Sequence, residues 1–221
     1  MIKITLFFLC LLLSFFSNAQ NPSFAWANRI GGNASNYGTG MSLDASGNVY
    51  TTGYFQGTSD FNPGAAVLNL TSNGYEDIYI TKMDASGNYI WAKTIGAANP
   101  DKGQSIAVDA SGNVYITGTF ELTVDFDPGA GIFNMTNTGS GVASFILKLD
   151  ASGNFIWAKQ IGGTSGRYAQ GIKVDTSGNL YTVGYYYGTA DFDPGVGSFN
   201  LTSSGGSADI FIFKAYYLRK F

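Results

Sequence analysis

The chain is poor in the residues that most often do chemistry. Its 221 positions include one cysteine and no histidine. No imidazole is available to activate a nucleophile, and with Cys10 set aside neither a thiol mechanism nor a conventional zinc site can be assembled. No disulfide framework holds the fold. Glutamate occurs only at Glu76 and Glu121, and only 12% of the side chains are charged. Lys and Arg number 12 against 15 Asp and Glu, and they form no basic cluster. That distribution argues against nucleic acid or an anionic membrane surface as partner.

Long apolar runs are also missing, apart from Leu6–Phe16. This run is too short for a span of about 20 residues. It follows Met1-Ile2-Lys3 and precedes the small-x-small word Ser17-Asn18-Ala19. The pattern is that of a secretory signal peptide over residues 1–19, cleaved after Ala19. Cys10 lies inside the apolar run, behind Phe8 and Leu9, and is removed with it. The expectation is a secreted or cell-surface protein with no membrane span after processing. Removing Lys3 takes the net charge from −3 to −4.

What remains is rich in glycine (30 residues) and aromatics (15%), a composition of ordered β structure. It is also repetitive. Trp26, Trp91 and Trp157 open W-A-[NK]-x-I-G at spacings of 65 and 66. Asp44, Asp109 and Asp175 open D-[AT]-S-G-N in the same register. So do Pro63, Pro128 and Pro194 in D-F-[ND]-P-G, the N-[LM]-T words at Asn69, Asn134 and Asn200, and Lys82, Lys148 and Lys214. Five landmarks keeping step define a tandem repeat.

Each unit holds two pairs of short apolar runs flanking a D-A-S-G-N word. In the second unit these are Ser105–Val108 with Val114–Thr117, and Phe145–Leu149 with Phe155–Lys159. Runs of this length, rich in Ile, Val, Tyr and Phe and bounded by turn residues, read as strands. The Asp side chain can accept backbone N–H bonds two or three residues on, and Gly112 or Asn113 can adopt the positive φ that closes the hairpin. Four antiparallel strands per unit, a to d, covered on both faces, make a propeller blade. The expected organisation of residues 20–221 is a strand d at 21–32, blade 1 over about 37–96, blade 2 over about 101–162, and blade 3 over about 167–221. After Lys214 the register fails, so blade 3 lacks its own strand d. Three blades fall below the four to eight of known rings. The ring is therefore expected to be incomplete or open, as a truncated copy of a longer propeller or as a unit that closes by self-association.

Val108–Gly118 (V-D-A-S-G-N-V-Y-I-T-G), its two counterparts and the I-G-G at Ile161-Gly162-Gly163 resemble the SBBP family, the seven-bladed β-propeller repeat of bacterial extracellular proteins, in a long-repeat version. The resemblance implies a scaffold or binding role and brings no active-site motif.

Candidate sites are few. Asp44, Asp84, Asp109, Asp150 and Asp175 are explained as turn caps. Asp60, Asp125, Asp127, Asp191 and Asp193 lie in D-F-[ND]-P-G, where D-x-D-x-G resembles the first half of a calcium loop without its closing Glu. Calcium is the cation these loops would take, and no other cofactor is expected. Tyr185, Tyr186 and Tyr187 break the repeat pattern and are candidate ligand contacts. The three Trp are assigned to inter-blade core rather than to a sugar-stacking platform. No catalytic constellation is present. The expected function is a non-enzymatic binding or structural scaffold, with a protein or glycan at the cell surface as partner. The alternatives are a carbohydrate-binding or adhesion module and, further off, a carboxylate-based hydrolase or lyase.

Overall fold

A computed structural model describes residues 22–216. Residues 1–21, which include the segment expected to be a signal peptide, and residues 217–221 lie outside the described residues. The strands in chain order are β1 (Gly31–Gly32), β2 (Asn36–Leu43), β3 (Val49–Phe55), β4 (Thr58–Asp60), β5 (Asn69–Thr71), β6 (Asp77–Met83), β7 (Tyr89–Ile95), β8 (Lys102–Val108), β9 (Val114–Phe120), β10 (Thr123–Asp125), β11 (Asn134–Thr136), β12 (Ala143–Leu149), β13 (Phe155–Gly163), β14 (Arg167–Val174), β15 (Leu180–Tyr186), β16 (Thr189–Asp191), β17 (Asn200–Thr202) and β18 (Asp209–Ala215). Three antiparallel blades result: β2-β3-β6-β7, then β8-β9-β12-β13, then β14-β15-β18. The protein is an all-β array of β-propeller type, and its described residues do not close a ring.

Strands a to c run longer than the apolar runs predict. β9, for example, extends from Val114 to Phe120, and all seven of its residues are buried between neighbouring sheets. Its Thr117, Gly118 and Thr119 are polar or small, so apolarity alone under-reads it. Strand a of every blade carries a bulge, at Gly38/Gly40, Gly103/Ser105 and Ala169/Gly171. Opposite each bulge stands the glycine of the T-G or V-G word. A Cβ at Gly118 would collide with the Lys102 carbonyl oxygen, and Gly53 and Gly184 meet Tyr37 and Tyr168 in the same way. Close backbone approach demands glycine there.

The insert carrying D-F-[ND]-P-G forms a further hairpin in each unit, beyond those that the D-A-S-G-N words predict. β4 pairs with β5, and β16 with β17, Asp opposite Asn and Thr opposite Thr. These hairpins tie neighbouring units together: Gly31 pairs with Asp60, and Gly162 with Asp191. The I-G-G words are thus strand segments that cross a junction. Blade 2's hairpin, β10 with β11, stands alone. There Ala97 replaces the second glycine. At that position a Cβ on Gly32 would strike the Thr58 carbonyl, so alanine cannot enter the ladder. The Ala97 N–H donates instead to Asp101 Oδ2 at 2.8 Å.

Residues 22–30 form no strand, because no strand c lies beside them among the described residues. They nevertheless occupy the place of a preceding blade's strand d. Trp91 Nε1 donates to the Ala151 carbonyl in the next blade's turn at 3.2 Å, and Trp26 Nε1 reaches the Ala85 carbonyl at 3.1 Å. Two large cores fill the junctions. Tyr50, Ile78, Ile80 and Trp91 pack on Ile106, Ile116, Phe145 and Leu147, while Tyr115, Ile146 and Ile161 pack on Ile172, Tyr186 and Phe211. Trp91 and Trp157 meet Tyr50 and Tyr115 of their own blades edge-on and pack into or against the inter-blade cores, whereas Trp26, also expected there, is 38% exposed among the described residues.

Candidate functional site

In blades 1 and 2 the hairpin register sends both D-A-S-G-N turns to one end of the sheet, where blade 3 places its single turn: Val49, just after the a–b turn, pairs with Met83, and Val114 with Leu149, each just before the c–d turn. At that face the carboxylates serve structure. Asp109 Oδ1 accepts from the N–H of Ser111 and Asn113, and its Oδ2 accepts from Asn113 Nδ2 and the Tyr115 hydroxyl, all within 2.8–3.0 Å. Asp44 and Asp175 repeat this pattern with Tyr50 and Tyr181. These bonds hold all three carboxyls below the ordinary range against the opposing effect of burial. The repeated lysines complete the cluster. Lys82, Lys148 and Lys214 lie 4.9, 5.0 and 5.1 Å above the rings of Tyr50, Tyr115 and Tyr181. The tyrosine six residues after each Asp was in the sequence to be seen, and its partnership with lysine was not.

The D-F-[ND]-P-G loops lie at the opposite end, and each is closed by its own backbone. Asp60, Asp125 and Asp191 each accept two N–H bonds through Oδ1: from Asn62 and Leu68, from Asp127 and Phe133, and from Asp193 and Phe199. Asp127 and Asp193 accept from Gly129 and Gly195, and Asn62 makes the identical bond to Gly64. An amide oxygen does the work of a carboxylate there, so this bond needs an acceptor and no charge. Among the described residues no three Asp, Glu, Cys or His side chains gather to hold a metal.

The three consecutive tyrosines separate. Tyr186 is buried in the core against Phe192 and Phe211, where no ligand reaches it. Tyr185 stacks on Tyr168 at 4.6 Å and 12°, with Tyr187 edge-on to both. Blade 1 has the same stack in Tyr37 and Tyr54 at 4.9 Å. Blade 2 puts Lys102 and Thr119 at those positions, and Lys102 Nζ lies 4.7 Å above Tyr54. Between blades 2 and 3 these residues open a groove of about 300 Å³, lined by Lys102, Gln104, Glu121, Tyr168, Gln170 and Tyr185. It combines an aromatic platform with amide, carboxylate and ammonium groups.

Beneath this face lie two groups the sequence reading did not single out. Asp77 and Asp101 are fully buried at the junction of blades 1 and 2. Asp77 Oδ2 accepts one bond, from the Asn73 N–H at 3.0 Å, and its Oδ1 has no partner. Asp101 accepts from the Ala97 and Glu121 N–H groups. Burial raises Asp77 to about 6. Burial, with a smaller contribution from the charges of Asp77 and Glu121, raises Asp101 to about 7. At the next junction the same two repeat positions hold Ala143 and Arg167. The buried guanidinium donates to Asn137 Oδ1 and to the carbonyls of Ile161 and Ser165, and burial lowers its pKa.

Comparison with known proteins agrees with this architecture. The family model described as SBBP, beta-propeller repeat, matches residues 90–119 and 156–188. Each match runs from strand d of one blade through strands a and b of the next. An uncharacterised WD repeat-containing protein of Acanthamoeba polyphaga mimivirus is 26% identical over 90% of this chain and 16% of its own length. Regulatory protein FlaEY of Caulobacter vibrioides is 29% identical over 50% of this chain and 12% of its own. The chain therefore spans less than a fifth of either relative.

Proposed function

We propose that the chain is a non-enzymatic binding and structural scaffold of β-propeller type, acting at a bacterial surface or outside the cell. The observation that carries this reading is the use of its carboxylates. Those of the repeated words close turns, and the two with raised pKa are sealed from solvent. Glycoside hydrolysis needs a pair of carboxyl groups open to substrate. The description of the mimivirus relative as a WD repeat protein accords with a scaffold. The signal-peptide pattern of residues 1–19 supports the location.

A second reading, glycan binding, is favoured by one feature: the Tyr168–Tyr185 stack lining a groove beside Gln104, Gln170 and Glu121. Aromatic faces flanked by amides and carboxylates suit a sugar ring and its hydroxyls. Titration with a panel of soluble polysaccharides tests both readings. Saturable binding that Tyr185→Ala weakens about tenfold or more, with no release of reducing ends, is the expected result. Binding untouched by that substitution would remove the glycan reading, and sugar release abolished by Asp101→Asn would overturn the scaffold.

A further inference from the structure

The two open ends of the array are the two halves of its own internal junction. Ile80 and Ile146 are 0% and 2% exposed where the next blade covers them, and their counterpart Ile212 is 83% exposed. On the opposite end, Ile106 and Ile172 are each 2% exposed against the preceding blade, and their counterpart Met41 is 67% exposed. Ile210, Val183 and Tyr181 extend the first patch, and Leu43 and Tyr37 extend the second. Contiguous exposed apolar faces of this kind mark interaction surfaces. Here the internal junctions show what chemistry covers them: the front of blade 1 is built to lie on the back of blade 3.

We propose that a second copy of this chain occupies both faces, docking its blade 1 on blade 3 and donating residues 24–30 as the missing strand d. The internal register fixes the pairing. Ile78 lies opposite Ile95, Ile80 opposite Lys93 and Lys82 opposite Trp91. One repeat earlier, the incoming residues are Ile30, Asn28 and Trp26, and they come to lie opposite Ile210, Ile212 and Lys214. The receiving site exists as a groove of about 590 Å³ along β18, lined by Lys159, Phe199, Leu201, Ile212, Lys214 and Tyr216. The donor is already extended on its own blade 1, its Trp26 bonded to Ala85 as Trp91 is to Ala151. The polar position also fits. Asp77 faces a second acid, Asp101, but Asp209 would face Asn36 of the other copy, so no second carboxylate is buried there. Strand addition removes the open edge of β18. A head-to-tail interface closes when its rotation permits, and the three described blades taken from two copies give six, inside the range of known propellers. This assembly does not depend on what the scaffold binds.

The test is the mass of the purified chain in solution and a complementation of two variants. Light scattering on wild type should give twice the chain mass. Ile212→Lys disables only the back of blade 3 and Met41→Lys only the front of blade 1, so each alone should remain monomeric or form weak open dimers. Mixed in equal amounts, they should recover a 1:1 dimer through the one intact pair of faces. A variant that failed to fold could not complement. In a Cys10→Ser background, co-expressed Asn28→Cys and Ile212→Cys chains should form a disulfide-linked dimer that neither forms alone. A wild-type monomer at all soluble concentrations, open-ended oligomers, or folded variants that do not complement would each overturn the proposal, leaving those faces to other blades.

Discussion

Removing the charge of Asp77 should stabilise the protein, and more so as pH rises. Asp77 and Asp101 move from an ordinary 3.8 to about 6 and about 7 in the folded chain. Between those limits the native state binds more protons than the unfolded state, so stability falls with rising pH. The contribution is fully present below about pH 4 and is lost as pH climbs through 6 and 7. One unit corresponds to about 1.36 kcal/mol. The two shifts together then cost on the order of 7 kcal/mol at pH 8, with the repulsion between the two charges counted once, in the Asp101 shift. Asp77→Asn keeps an oxygen for the Asn73 N–H and removes that charge, recovering about 2–3 kcal/mol at pH 8 and little at pH 5. For a chain of this size, 1 kcal/mol moves the midpoint by roughly 2–4 °C, so the variant should melt roughly 5–10 °C higher at pH 8. Thermal melts followed by circular dichroism at pH 5, 6, 7 and 8 decide it. The turn aspartates, whose pKa values are lowered, titrate below this window and do not interfere. A wild-type midpoint that is flat or rises from pH 5 to 8, or a variant destabilised equally throughout, would refute the reasoning.

Two further perturbations separate backbone demands from charge. Gly118→Ala forces a Cβ into the Lys102 carbonyl at a buried bulge; a loss of about 3 kcal/mol or more, seen in chemical denaturation, is expected from such overpacking. Asp127→Asn together with Asp193→Asn should shift the midpoint by less than about 1 kcal/mol equivalent, since Asn62 already makes the same bond. Millimolar calcium should leave the melt of wild type and variant alike; a calcium-dependent rise that the double variant loses would make the loops cation sites.

The architecture was legible because it was written three times. Each landmark had two witnesses, and hairpins about D-A-S-G-N follow from local turn chemistry alone. The N-[LM]-T words were visible as landmarks but not as strands, since three-residue pairings such as Asp60 with Asn69 leave no periodicity to read. The groove at Tyr168 and Tyr185 was half legible. Tyr185 stood out in a run of three, but alternation along β15 sends Tyr186 to the core face and its neighbours to the other. Asp77 and Asp101 were not legible at all. Their burial comes from two blades meeting, a relation between residues far apart in the chain, and ordinary aspartates give no local sign of it.

The Trp91 bond across the junction of blades 1 and 2 has a mechanical meaning. Trp91 belongs to the outermost strand of one blade, and the carbonyl it holds belongs to the next. Blade 1 is therefore not self-contained: its outer strand is latched by its successor. Loss of blade 2 would unlatch the outer strand of blade 1, so the unit that melts there is the junction rather than the sheet. In such an array stability resides in couplings between nearest neighbours. The middle blade, held on both sides, is the last to let go.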